Sequence, residues 1–142
     1  MSEQAYIVAK AERRILVTGD RNWDDDDSIA RRLNRAARFR RTVIIEGGAK
    51  GADAAAAAWA KAKGAGHEQY KADWAKHGRA AGPIRNRTML EQGRPDRVLA
   101  FHPDLGSSKG TKDMVSAAHR AGVKTKVYGT GGKRVRNWKD AL

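Results

Sequence analysis

The sequence predicts a three-layer α/β/α sandwich built on an open parallel sheet of about five strands. Two observations carry that expectation. Short apolar runs of strand length alternate along the chain with amphipathic or alanine-rich stretches of helix length. Most passages from strand to helix are marked by glycine, serine or aspartate, and no internal repeat breaks the alternation. Right-handed crossovers between parallel strands then place helices on both faces of the sheet.

The elements follow in order. Ile15-Leu16-Val17 is a buried strand closed by Gly19. The acidic run Asp24 to Asp27 precedes Ser28 and suits a helix start. Carboxylates there complement the positive helix end, and Asp27 or Ser28 can cap free N–H groups. A helix from about Ser28 to Arg40 leads to a second strand, Val43-Ile44-Ile45. Gly47-Gly48-Ala49-Lys50-Gly51 opens a helix over Ala52 to Lys63, whose alanines favour helix and permit close approach to a sheet. His67 to Ala72 is a weaker strand. Asp73 to Pro83 reads as a loop, because Gly78, Gly82 and Pro83 break regular structure. A helix over Ile84 to Gln92, a strand over Arg97 to Phe101, a glycine-serine loop from Gly106 to Gly110, a helix over Thr111 to Ala121 and a strand over Lys124 to Tyr128 complete the domain. Residues 1–12 and 129–142 read as extensions flanking a domain at 13–128, and Trp138 offers the basic C-terminal one an anchor.

A chain of 142 residues is one domain in length. It carries 29 Lys and Arg against 16 Asp and Glu, a formal charge of +13. The absence of cysteine excludes a disulfide scaffold, a thiolate zinc site and a cysteine nucleophile. No apolar run nears the roughly 18 residues of a membrane helix, and the first ten residues lack a signal-peptide core, so a cytoplasmic domain away from membranes is expected. His67, His77, His102 and His119 show no metal-ligand spacing and no Gly-x-Ser-x-Gly elbow occurs; neither metal nor cofactor is expected. Arginines cluster from Arg31 to Arg41 with no acid between Ser28 and Thr42. On the expected helix, Arg31, Arg35 and Arg38 share one face and Ile29, Leu33 and Ala36 another. Such a face is either solvated surface or a footprint for nucleic acid.

In open parallel sheets ligands bind at the carboxyl ends of the strands, where strand order reverses. Three unusual loops fall on that edge. The first carries Gly19, Arg21 and Trp23; the second carries Gly47, Gly48 and Gly51, followed by Asp53; the third carries Ser108, Gly110 and Thr111. Glycine lets backbone N–H groups approach an anion, and a helix N-terminus adds positive partial charge. Neither the Gly47 to Gly51 loop nor the Ser108 to Thr111 loop is a Walker A motif, and the Gly47 to Gly51 loop also fails the dinucleotide fingerprint. Arg85 and Asn86 follow Gly82-Pro83 near the same edge, where Arg85 can contact a phosphate bidentately. Trp23 or Trp74 either stacks on a base or packs in the core. Asp53 is either a helix-start partner or a catalytic carboxylate. The ligand class these residues suit is a nucleotide or nucleotide-derived phosphate compound.

Four motifs fall in a familiar order: Val17-Thr18-Gly19-Asp20-Arg21-Asn22-Trp23, Gly47-Gly48-Ala49-Lys50-Gly51-Ala52-Asp53, Ala81-Gly82-Pro83-Ile84-Arg85-Asn86 and Ser108-Lys109-Gly110-Thr111-Lys112-Asp113-Met114. With them the chain resembles the Rossmann-like SLOG superfamily, which includes the "lonely guy" phosphoribohydrolases, and more closely its small YspA-related branch of bacteria and phages. The resemblance runs from about Arg14 to Tyr128. It implies a nucleotide-derived ligand at the strand edge and a homodimer that completes its sites at the interface. Arg85 and Met89 keep an Arg-to-Met spacing that lines the phosphoribohydrolase site. The catalytic Glu of those enzymes is replaced here by Met114, and the nearest acid, Asp113, lies one residue earlier, about 100° around a helix. Three readings result. One is a nucleotide-binding sensor or sequestering domain. The second is an N-glycosidase acting on a nucleoside monophosphate, with Asp113 and then Asp53 as candidate acids. The third is a nucleic-acid-binding protein using Arg31, Arg35 and Arg38.

Overall fold

The computed structural model describes residues 12–38 and 40–142; residues 1–11 of the expected N-terminal extension lie outside the described residues. The chain runs β1 (Arg13–Gly19), α1 (Asp26–Ala36), β2 (Thr42–Glu46), α2 (Ala52–Lys63), β3 (Gly66–Gln69), α3 (Trp74–His77), α4 (Ala81–Gly93), β4 (Arg97–Phe101), α5 (Gly110–Arg120), β5 (Lys124–Tyr128) and β6 (Arg134–Val135). Short 3₁₀ turns occupy Gly78–Ala80, Leu105–Ser107, Thr130–Gly132 and Trp138–Ala141.

Five strands are parallel, in the order β3-β2-β1-β4-β5, and the order reverses between β1 and β4. This is the doubly wound arrangement of Rossmann-like domains, with its switch point at the ends of β1 and β4. Strand alternation explains the layers. Ile15, Val17 and Ile44 face α1 and α2, meeting Ile29, Leu33, Ala56 and Trp59. Leu16, Ile45 and Val98 face α4 and α5, meeting Met89, Met114 and Ala118.

Several boundaries differ from those expected, each for a local reason. Helix α1 starts two residues early because the Asp25 side chain accepts the Ser28 N–H. It stops at Ala36, where the Arg13 guanidinium donates to the Ala36 carbonyl at 2.9 Å. Arg38 therefore lies beyond the helix and does not share its face with Arg31 and Arg35. The stretch expected as loop holds α3, capped by the Asp73 carboxylate on the Lys76 N–H, and the first turn of α4. Pro83 fits that turn because an N–H there needs no intrahelical partner. β3 is an edge strand of four residues, shorter than the expected His67 to Ala72.

The sheet gains a sixth strand, β6, antiparallel to β5. Behind it Trp138 is buried with Leu105, Val115 and Val127, its ring edge-on to His119. No helix among the described residues is long and apolar enough to cross a membrane.

Candidate functional site

The loop after β1 is a packing joint. Gly19 passes so close to β4 that a Cβ would lie 2.3 Å from the Phe101 carbonyl oxygen and 2.7 Å from the Ala52 Cβ. The Asp20 N–H donates to that same Phe101 oxygen, and the Asp20 carbonyl accepts the first N–H of α2, from Ala52. Arg21 is exposed. Trp23 is core: it packs edge-on against Phe101 at 5.6 Å, and its Nε1–H is shared between the Asp25 carbonyl and Ser28 Oγ. Its remaining edge joins Asp20, Asn22 and Asp24 around a cavity of about 220 Å³ beside the switch point.

The loop after β2 is closed by its own acids. Glu46, at the end of an otherwise apolar strand, is fully buried. It accepts the Gly48 N–H at 2.6 Å and Gln69 Nε2 at 2.8 Å, and it pairs with His67 Nε2 at 2.6 Å. Asp53, in the first turn of α2, accepts the Gly47 and Ala49 N–H groups at 3.1 and 3.2 Å. Three successive amides suited to an anion therefore already have carboxylate partners. Burial pushes the Asp53 carboxyl up to about 6; the nearby charge of Glu46 adds to this, while the Ala49 and Gly47 amides and the Arg85 charge pull it down.

Arg85 joins this loop to the next. Its Nη1 donates to the Gly47 carbonyl at 2.6 Å and its Nε to Asn86 Oδ1 at 3.0 Å. Gly47 makes the room, since a Cβ there would sit 2.4 Å from Nη1. The Lys71 stem covers Gly48 in the same way, 3.0 Å from where its Cβ would be.

The loop after β4 is capped by a neutral group: Ser108 Oγ accepts the Thr111 and Lys112 N–H groups at 3.1 and 3.4 Å. Buried Asn86 reaches across from α4, donating to Asp113 at 2.9 Å and to the Gly110 carbonyl at 3.4 Å. Arg87 grips both oxygens of Asp113 at 3.1 Å. Burial alone would push the Asp113 carboxyl up, but the bonds from Arg87 and Asn86 outweigh it and hold the group below the usual carboxylate range.

The structure thus brings Gly47, Gly48, Asp53, Arg85, Asn86, Ser108, Gly110, Thr111 and Asp113 into one connected stretch of the rim. Gly19, Arg21 and Gly51 form the adjoining joint between β1 and α2, and Trp23 lies beneath it. Arg31 and Arg35 are exposed on α1, against the opposite face of the sheet from Arg85. Sequence reasoning missed Glu46, His67, Gln69 and Lys71. An acid ending the apolar run of β2 just before two glycines was the available signal for the first of these. A larger cavity, about 430 Å³, lies at the other end of the sheet between Trp59, Arg40, Arg41 and Lys63. It is the groove left where α1 and α2 end against an edge strand, far from the switch point that positions ligands in this fold. Among the described residues no group of three or more His, Asp or Glu could hold a metal ion.

The fold and its rim define a small doubly wound domain whose strand-edge loops are clasped by internal polar contacts. The chain belongs to the YspA, cpYpsA-related SLOG family, whose model matches residues 13–77, from β1 through α3. It is 38% identical over 120 residues to the Gene 61 protein of Mycobacterium phage D29, covering 78% of this chain and 92% of that protein. In structure it is similar to DNA processing protein A (DprA) from Streptococcus pneumoniae, with a TM-score of 0.61 and 18% identity. That likeness is one of fold: it takes in 94% of this chain, which spans only 55% of the other.

Proposed function

We propose that the rim binds a phosphate-bearing nucleotide or nucleotide-derived ligand, as a sensor or sequestering domain. The observation that carries this reading is Arg85, whose guanidinium is fixed at once to Gly47 and to Asn86 and so stands between the two glycine loops. A guanidinium held in place spends little entropy when it meets a phosphate. Around it Lys50, Lys71 and Lys109 are exposed, and the N-terminus of α5 adds positive partial charge. Because Glu46 and Asp53 already occupy the amides of Gly47 to Ala49, the phosphate is held by side-chain cations and by α5 rather than by a cradle in the β2 loop. Membership of the SLOG family, and a fold neighbour that is a DNA-processing protein, support a nucleotide-related ligand.

Binding rather than hydrolysis fits the two carboxylates. Asp113 has both oxygens engaged by Arg87 and Asn86, and Asp53 is buried under two amides. Calorimetric titration of the full chain against nucleoside mono-, di- and triphosphates and cyclic nucleotides tests the reading. At least one should bind, and Arg85→Ala should weaken it about tenfold or more, the worth of a charge-assisted hydrogen bond. No binding at high micromolar concentration defeats the reading. Release of free base that is lost in Asp113→Asn replaces it with the hydrolase.

A further inference from the structure

Three of the four tryptophans, Trp23, Trp59 and Trp138, are buried, but Trp74 is 58% exposed. It opens α3, a single helical turn between the edge strand β3 and α4. The indole is seated rather than dangling: its Cη2 atom lies 3.4 Å from where Gly82 of α4 would carry a Cβ, so one edge rests on bare backbone. Ile84, on the next turn, is the other large apolar side chain of this region left in water. An exposed, supported indole leaves a flat apolar surface uncovered, and such surfaces mark contact sites.

The charge beside it selects the partner. Lys71, Lys76 and Arg79 are exposed around α3. The sole acid from Lys71 to Arg87 is Asp73, and its carboxylate already caps α3 through the Lys76 N–H. A second copy of the chain docking here about a two-fold axis would face these cations against themselves, and interface cores are poor in lysine. A base exposed on a single strand meets both features, its ring on the indole and its phosphates on the cations. In a duplex the bases are already stacked and cannot reach the ring.

We infer that Trp74, Lys76 and Arg79 form a stacking site for single-stranded nucleic acid. The site is independent of the nucleotide reading, because these three side chains make none of the contacts that clasp the rim loops. Titrating the full chain with short oligo-dT and oligo-U strands, with an abasic strand of equal length and with a duplex tests it. The base-bearing strands should bind and quench tryptophan fluorescence, while the abasic strand and the duplex bind more weakly. Binding of either strand supports the site. Trp74→Ala should cost about tenfold in affinity without changing the salt dependence or the melting temperature. The pair Lys76→Gln and Arg79→Gln should flatten the dependence of log affinity on log salt by about 0.7 for each phosphate they no longer neutralise. Equal binding by Trp74→Ala and the parent chain overturns the inference, as does an abasic strand that binds as tightly as oligo-dT. Sedimentation in which Trp74→Ala only turns a dimer into a monomer assigns the indole to a second copy and overturns it too.

Discussion

Two loops on one rim look alike in sequence and are built on opposite plans. The loop between β2 and α2 spends its amides on Glu46 and Asp53, and its Gly51, at φ +72°, is pressed against the backbone of Asp20 and Arg21. The loop between β4 and α5 is capped by the hydroxyl of Ser108, and around its Gly110 there is open space. The first is a clasp that locks β1, β2 and α2 together; the second is an open helix start. Glycine content therefore does not distinguish a loop that receives an anion from one that is already full. What distinguishes them is the acceptor that each amide finds.

Gly51→Ala should have the largest effect. Its left-handed backbone disfavours any side chain, and the new Cβ would lie 2.3 Å from the Asp20 oxygen and 2.6 Å from the Arg21 carbonyl, both of them backbone. Neither strain nor clash can relax by rotating a side chain. The expected loss is about 3 kcal/mol or more in urea denaturation. A loss under 1 kcal/mol would mean that the joint between the β1 loop and α2 is soft.

The acid that fills the clasp gives the next largest effect. The Asp53 carboxyl titrates at about 6 in the fold against 3.8 unhindered, so the folded chain holds a proton that the unfolded chain releases. Its stabilising effect is complete below pH 4 and is lost as pH rises through 6. At about 1.4 kcal/mol per unit, that slope amounts to about 3 kcal/mol between pH 4 and 7. Asp53→Asn, which keeps an acceptor for the Gly47 and Ala49 amides, should flatten the stability profile across this window. An unchanged slope would assign the titration to another group.

How much of this was legible follows the same division. β1, β2, β4 and β5 were readable because each carries a buried apolar run, α1 and α5 because each buries an apolar face, and α2 by its alanines; β3, with no buried residue, gave the weaker signal. β6 was not, since two residues carry no period and pair only because Trp138 docks the segment. The start of α4 was hidden by Gly82 and Pro83, breakers in isolation but tolerated in a first turn. At the rim, glycines announce turns in the sequence, but acceptors are chosen in three dimensions. Asp53 meets amides four and six residues before it and was readable as a helix-start partner, but nothing local pairs Glu46 with residues of an edge strand more than twenty positions on. Arg85 was readable as a cation at the edge, yet its seat depends on the missing side chain of Gly47, 38 residues away.

Asp113 tests the open loop with a smaller effect of opposite sign. Its carboxyl is held below the ordinary range, so its contribution is present at neutral pH and is lost as pH falls through that depressed value. The pair with Arg87 is partly solvated, with side chains 40% and 25% exposed. Asp113→Asn should therefore cost about 1 kcal/mol or less at pH 7 and remove the acid-side slope. A larger cost would show that Asn86, buried beneath it, depends on the charge.

The smallest expected effect is also the one that separates the two plans most cleanly. Gly110→Ala makes the same change as Gly51→Ala on the same rim, at the first residue of α5. No atom lies within 4 Å of the new Cβ, and the backbone there is not left-handed. The substitution removes freedom from the unfolded chain at no steric cost, so stability should rise by up to about 1 kcal/mol. Thermal melting beside a nucleotide titration then reads two things at once. If stability rises and nucleotide affinity falls, the ligand's phosphate lies within contact distance of that backbone, and α5 supplies part of the site. If affinity is unchanged, the phosphate rests on Arg85 and the lysines alone, and the open helix start is a property of the fold rather than of the ligand.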